Sequence, residues 1–343
     1  MALFGERVKV KDSYEYLGTT TPNADIDWKQ HLEKVMKAAE SRSNDLLWVC
    51  RYDSGMRPRT AVSLWQAMVR PMLEYASEVW ACQISETLAA EAEALQMRFL
   101  RGTLGLHTKG KGGVSDDAVR AETGCEPLRQ RWAKLKLGYW RRIFASPPDR
   151  LLRVVAKFRH DENVASGGHG LGGRGFMNTV KAALIDHGLQ EYWDDPLLAN
   201  TVSAGMWKKI TYDAVEEAGD GARHNRMLQL SSTADYAHIK DWGRNTPEYA
   251  VFSSEVDRLG RNVPERYLDD RQDLKGTRLK LLCRLGSLPV MARVDREARP
   301  PCPREQRVCH MCNSPGTVED VRRTAHSAPA YTPEVLECPS APY

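Results

Sequence analysis

The sequence predicts a mainly α-helical protein with a short N-terminal β-hairpin and a small cysteine-bearing C-terminal tail. Apolar residues recur at helical spacing from residue 27 to about residue 144, and again over 176–189 and 204–230. Strand-like alternation is found near the N-terminus, over residues 7–18. Four of the eight cysteines lie in the last 42 residues. Helices should therefore form most of the core.

Composition is that of a globular protein, with 42% hydrophobic and 27% charged residues. No segment approaches the roughly 18 consecutive apolar residues of a membrane span. The N-terminal apolar run is too short for a secretory signal peptide. We therefore expect an intracellular protein of the nucleus or cytoplasm, not secreted and with no membrane partner. A chain of 343 residues should form two or three compact units.

The N-terminal hairpin is predicted to turn at Lys11-Asp12-Ser13, because apolar and polar residues alternate on both sides of it. Three amphipathic helices then follow between residues 27 and 105. The second begins near Pro58, and Pro71 must kink it or end it early by removing a backbone donor. Ser85 can cap the third helix, which runs to Phe99. Short loops between them predict a small bundle.

Two further helices are predicted at 116–123, closed by Gly124, and at 127–144, stopped by Pro147-Pro148. Residues 166–175 contain six glycines and predict a flexible linker. Residues 240–276 are highly charged and weakly periodic, which predicts poor order.

Positive charge is concentrated between Arg98 and Arg142, where eleven Lys or Arg residues face four acidic ones, although the whole chain has a formal charge of only +4. Such an excess is the electrostatic footprint of a phosphate-contacting surface. A solvated helix face has the same pattern. Trp132 and Tyr139 lie among these cations at helical spacing, which favours core packing over base stacking.

Three motifs occur in order in the first 80 residues: Tyr14-Glu-Tyr-Leu-Gly18, Trp28-Lys-Gln-His31 and Val69-Arg-Pro-Met-Leu-Glu-Tyr-Ala-Ser-Glu-Val-Trp80. Together they resemble the region just after the palm in LINE-type (non-LTR) retrotransposon reverse transcriptases. The resemblance implies that the first motif forms a primer-grip hairpin and that the other two build a thumb. The primer-grip-like residues would be Tyr14, Tyr16, Leu17 and Gly18.

The C-terminal region resembles the same proteins. Residues 279–290 are similar to the helix before their Cys-rich motif, and residues 307–312 and 318–321 to the first half of that motif. Arg323 and Ala328 stand where the family has its last two ligands. Two interpretations are open: a zinc site with substitute ligands, or a degenerate knuckle that binds no metal. The substitute ligands would be Cys309, Cys312, His326 and Cys338. The four cysteines outside the C-terminal region, Cys50, Cys82, Cys125 and Cys283, are predicted to be buried free thiols.

The catalytic palm of that family is expected upstream of residue 8. Tyr267-Leu-Asp-Asp270 spells its metal-binding turn, but the flanks are too polar for the buried strands that two-metal catalysis needs. We therefore expect no magnesium site, no catalytic residue and no polymerase activity in this chain alone.

The sequence pattern and the resemblance together divide the chain into six regions. They are a palm remnant with the primer-grip-like hairpin (1–22), a three-helix thumb-like bundle (23–105), a basic helical connector (106–165), the Gly-rich linker (166–175), a helical region of unknown role (176–276) and a C-terminal region with a degenerate zinc-knuckle-like motif (277–343).

The leading hypothesis is a fragment of an RNA-directed DNA polymerase that binds RNA and DNA template–primer backbone without sequence specificity. The residues expected to contact phosphate are Arg98, Arg101, Lys109, Lys111, Arg129, Arg131, Lys134, Arg141 and Arg142. The alternatives are a non-catalytic helical interaction protein, a functionless retroelement relic, and an active reverse transcriptase whose N-terminal part lies outside this sequence. The sequence leaves the oligomeric state open.

Overall fold

The computed structural model describes residues 28–50, 55–81, 84–106, 114–166 and 175–230, four short strands before residue 23, and isolated positions between 233 and 285. These residues are mainly α-helical, as the sequence predicts. No helix among them is both long enough and apolar enough to span a bilayer.

The chain forms two compact units, each assembled from stretches that are distant in sequence. The first unit contains Met1–Asp45, Leu64–Gln96 and Glu126–Gly221, and the second contains Leu46–Ser63, Met97–Cys125 and Ala222–Tyr343. The six regions predicted above are consecutive in sequence, so their boundaries do not correspond to those of the two units. The division into six regions stays a prediction.

Four short strands form two antiparallel pairs near the N-terminus. Strand β1 (Ala2–Leu3) pairs with β2 (Glu6–Arg7), and β3 (Ser13–Tyr16) pairs with β4 (Thr19–Pro22). The predicted hairpin with its turn at residues 11–13 is not confirmed, because Ser13 begins β3, which pairs with β4 over Ser13–Tyr16 and Thr19–Pro22. Residues 11 and 12 lie outside the described residues.

The predicted helices between residues 27 and 105 are present, and the second is broken into three pieces. The observed helices are α1 (Lys29–Cys50), α2 (Pro58–Met68), α3 (Arg70–Glu74), α4 (Ser77–Trp80) and α5 (Glu86–Thr103). Helix α2 ends before Pro71, as expected from the missing amide donor. Ser85 Oγ accepts a hydrogen bond from the backbone N–H of Leu88 at 3.3 Å, which confirms the predicted cap.

Seven further helices follow within residues 114–166 and 175–230. They are α6 (Asp116–Thr123), α7 (Leu128–Ala145), α8 (Leu151–Ala165), α9 (Phe176–Asp186), α10 (Glu191–Asp194), α11 (Leu198–Thr201) and α12 (Ala204–Gln229). Gly124 closes α6 in the left-handed conformation with φ 62°, as predicted. Helices α8, α10 and α11 were not predicted. The linker over 167–174 and most of the charged stretch over 240–276 lie outside the described residues.

The core of the first unit is built around tryptophans of α7, α10 and α12. Trp140 stacks on Trp193 with ring centroids 5.6 Å apart. The indole N–H of Trp207 donates to the carbonyl of Leu137 at 3.0 Å, which ties α12 to α7. This satisfied hydrogen bond allows a large aromatic side chain to be fully buried without a polar penalty.

In the second unit, α5 crosses the end of α1 at very short range. A Cβ atom placed on Gly102 would lie 2.6 Å from Cδ1 of Leu47. Glycine at this position therefore permits the close approach. Cys50 and Cys125 are buried and neither forms a disulfide, as predicted for these two residues, while Cys82 and Cys283 lie outside the described residues.

Candidate nucleic-acid interface

The basic stretch was predicted to be a phosphate-contacting surface, and most of its described members bind protein groups instead. Helix α7 carries five of the nine predicted residues. Arg131 forms a two-point ion pair with Glu74, with Nε 2.8 Å and Nη2 3.2 Å from the two carboxylate oxygens. Glu126 lies 3.4 Å from the same Nε. Burial alone would lower the pKa of Arg131, but the hydrogen bonds and charge of Glu74, with the charge of Glu126, raise it above its ordinary value.

Lys134 is the most deeply buried cation of the set, with a side chain that is 1% exposed. Its ammonium group lies 2.5 Å from Glu126 and 2.6 Å from Glu216, on α12. The ring of Tyr212 covers the ammonium at 4.8 Å from the ring centroid. Two carboxylates and an aromatic face replace the water that this charge loses on burial. Lys134 therefore joins α7 to α12 and is enclosed by protein.

Arg101 and Arg141 are also engaged in the protein. In the second unit, Arg101 is 3% exposed and its Nη2 lies 2.6 Å from Asp116 Oδ1. The same nitrogen donates to the carbonyl of Val114. In the first unit, Arg141 donates from Nε to the carbonyl of Ala199 and from Nη2 to that of Val202, both at 2.9 Å. Both guanidinium groups thus donate to backbone carbonyl oxygens of the protein instead of facing solvent.

Three of the seven described residues reach solvent to a large extent. Arg129 is 43% exposed beside Glu86, and Arg142 is 66% exposed beside Glu78. Arg98 on α5 is exposed as well. Exposed ion pairs contribute only about 0–1 kcal/mol, so these side chains can exchange a carboxylate for a phosphate at little cost. Lys109 and Lys111 lie outside the described residues.

Four of the acidic partners were missed because they lie outside the stretch whose charges were counted. Glu74, Glu78 and Glu86 precede it in the sequence, and Glu216 follows it. Helices that pack in a bundle bring residues that are distant in sequence side by side. Counting charges within one stretch of sequence therefore cannot identify these ion pairs. Glu126, inside the stretch, was counted as one charge but serves both Arg131 and Lys134.

Two of the resembling motifs meet in one aromatic cluster of the first unit. Trp28 and His31 lie 6.0 Å apart, and His31 lies 6.0 Å from Trp80, measured between ring centroids. Trp80 contacts Trp132 edge-on at 5.4 Å, and the indole N–H of Trp132 donates to Leu73 at 2.9 Å. Trp132 is therefore a core residue, as predicted, and Tyr139 is half-buried against Phe176.

His31 is the only titratable ring of this aromatic cluster. Its side chain is 1% exposed. Burial, and secondarily the charge of Lys34, lowers the pKa of His31. The imidazole is therefore neutral at pH 7 and acts as a packing group rather than as a cation.

The predicted primer-grip and metal residues receive little structural description. Tyr14 and Tyr16 belong to β3, while Leu17 and Gly18 lie outside the described residues. So do the proposed zinc ligands, Cys309, Cys312, His326 and Cys338, and both aspartates of the Tyr267–Asp270 sequence. In the part of the chain that is described, no three metal-ligating side chains come together. Whether zinc binds stays a prediction.

Comparisons of the chain with protein-family models, with curated proteins and with solved structures found no match. The features of this chain that bear on function are its motifs, the aromatic cluster and the exposed cations.

Proposed function

We propose that this chain is a non-catalytic nucleic-acid-binding fragment that resembles the thumb and tail of a LINE-type reverse transcriptase. The observation that carries the proposal is the aromatic cluster, in which Trp28 and His31 of one motif pack on Trp80 of the next. Motifs that the resemblance assigns to one thumb are thus parts of one packed core, which supports treating them as a single domain. The buried residues of these motifs would then maintain the fold, while surface cations contact the ligand.

In this proposal, binding is electrostatic and independent of sequence. On α7, Arg129 and Arg142 are the candidates, separated by thirteen residues, or about 20 Å along the helix. Each would leave a weak surface ion pair and bind a phosphate of an RNA–DNA duplex. Arg98 contributes on the second unit, and Lys109 and Lys111 remain candidates from sequence alone. The buried cations Arg101, Arg131, Lys134 and Arg141 would act only by keeping the helices in place.

The test compares two double variants of the full chain with equal loss of charge. Binding of a fluorescently labelled RNA–DNA duplex of about 20 base pairs is followed by anisotropy at low salt. Arg129→Gln with Arg142→Gln should weaken binding about tenfold and reduce the salt dependence by about two phosphate contacts. Lys208→Gln with Lys209→Gln, two exposed residues of α12, should change affinity by less than about threefold. An equal loss of affinity in the two double variants would contradict the assignment of Arg129 and Arg142 as phosphate-binding residues.

We also expect no DNA synthesis by this chain alone. Two-metal catalysis needs carboxylates, and the resemblance assigns them to a palm that none of the motifs found here includes. Magnesium-dependent primer extension by the purified chain would contradict this part of the proposal without affecting the binding result.

A further inference from the structure

Helix α8 exposes a stripe of large apolar side chains to solvent. Leu151 is 75% exposed, Phe158 64%, Val154 50% and Val155 47%. Their spacing of three, four and seven residues places them on one face of the helix. The opposite face buries Ala156 and other residues in the first unit. Contiguous exposed apolar surface of this kind marks an interaction site.

The charges of α8 are distributed against its own dipole. Arg150 is the N-cap residue and Arg153 and Lys157 lie in the N-terminal half, whereas Asp161 and Glu162 lie near the C-terminus, where Arg159 is the one cation and pairs with Glu162. A helix alone is stabilised by the reverse arrangement, with acids at the start and bases at the end. The arrangement is favourable when a second helix with the same charges runs antiparallel, because each basic half then faces an acidic end.

We propose that the solvent face of α8 binds the same face of a second copy of this chain in an antiparallel, two-fold symmetric pair. A two-fold axis near position 156 sets Val154 against Phe158 of the partner subunit. The same register sets Arg150 against Glu162 of the partner subunit, and the symmetry repeats each contact. The apolar stripe fills the centre and the ion pairs close its two ends.

The position of Glu162 favours a second copy over a lipid surface or an uncharged apolar groove. It lies four residues after Phe158 on the same face of α8 and pairs with Arg159 at 2.9 Å. In lipid or in an uncharged groove this carboxylate would lose water without gaining a new cation. A second α8 supplies Arg150 at that place. The occupant with matching chemistry is therefore the chain itself.

The small area of the α8 face limits the affinity expected for self-association. Fifteen helical residues span about 22 Å, so the pair falls at the low end of specific interfaces, below about 1,200 Å². Association should therefore be weak, with a dissociation constant on the order of 10–100 μM.

Sedimentation velocity of the full chain between about 1 and 200 μM tests the proposal. The wild-type chain should form a dimer in a concentration-dependent way. Phe158→Glu should weaken the dimer more than about tenfold. Ile185→Glu, an equal change at a 44% exposed apolar residue of α9, should leave it intact. A chain that stays monomeric throughout, or a dimer that tolerates Phe158→Glu, would overturn the proposal.

Charge exchange tests the antiparallel register independently of folding. Arg150→Glu and Glu162→Arg should each weaken self-association at least about fivefold, because like charges then meet at both ends. An equimolar mixture of the two variants should associate like the wild-type chain, since every end of the mixed pair again joins opposite charges. The chain that carries both substitutions should also regain dimer formation. Failure of both the mixture and the double variant to recover would overturn the register.

Discussion

At the scale of single residues, Lys134 illustrates how a predicted ligand-binding cation serves the fold instead. Its side chain is 1% exposed and its ammonium group contacts carboxylates from the loop before α7 and from α12. Removing the cation would leave Glu126 and Glu216 facing each other with little access to water. The cost of breaking such a buried pair from one side is about 3–5 kcal/mol.

We therefore expect Lys134→Met to lower the free energy of unfolding of the chain by about 3–5 kcal/mol. Urea denaturation followed by circular dichroism measures this quantity through the shift in midpoint. Lys209→Met, at an exposed position of α12, is the matched control and should change it by no more than about 0.5 kcal/mol. A loss below about 1 kcal/mol for Lys134→Met would mean that the carboxylates are well solvated.

At the scale of elements, the break after α2 combines a proline with a strained alanine. Pro71 lies in the first turn of α3, and Ala76, between α3 and α4, has φ 55° and ψ 17°. The left-handed region costs a non-glycine residue about 1–2 kcal/mol. The burial of Trp80 in α4, directly after this break, offsets the strain. Its indole N–H donates to the carbonyl of Tyr75 at 2.7 Å.

Ala76→Gly should therefore raise the free energy of unfolding by about 0.5–1 kcal/mol, which is the strain relieved less the extra entropy of glycine in the unfolded chain. The same substitution at Ala182, an exposed residue within α9, should lower it by about 0.5–1 kcal/mol. Chemical denaturation of the two variants and of the wild-type chain measures whether each substitution raises or lowers the free energy of unfolding. If Ala76→Gly also destabilises the chain, position 76 does not adopt a left-handed conformation in solution.

Element boundaries were predictable where a local chemical signal fixes them. Ser85, Gly124 and Pro71 each act within one helical turn, through a cap, a left-handed closure or a missing donor. Helix α8 was missed because Pro147-Pro148 was interpreted as the end of the preceding helix, and no separate element was assigned between it and the glycine-rich linker. The apolar residues of α8 recur at helical spacing, which would have predicted the helix but placed the wrong face against the core, because the stripe faces solvent.

At the scale of the whole molecule, the candidate site was harder to predict than the fold because charge neutralisation is non-local. The pairs Arg131–Glu74 and Arg129–Glu86 join residues 57 and 43 positions apart. Helical periodicity can place Arg131 on one face of α7, but not identify the acid opposite. A basic stretch in a helical protein therefore predicts a phosphate-binding surface only after its partners on neighbouring helices are known.

The salt dependence of nucleic-acid binding separates the sequence-based interface from the one that the described structure supports. Nine phosphate contacts would give a slope of log affinity against log salt near −8, at about −0.9 for each contact. With Arg98, Arg129, Arg142 and the two lysines of residues 109–111, the slope should lie between about −3 and −4.5. Raising salt from about 50 to 200 mM would then weaken binding roughly 60- to 500-fold, rather than more than about 10⁴-fold. Anisotropy titrations over this range with an RNA–DNA duplex measure the slope. A value near −8 would require the buried cations to leave their carboxylates on binding. A value near zero would exclude electrostatic backbone recognition and leave self-association through α8 as the surviving activity.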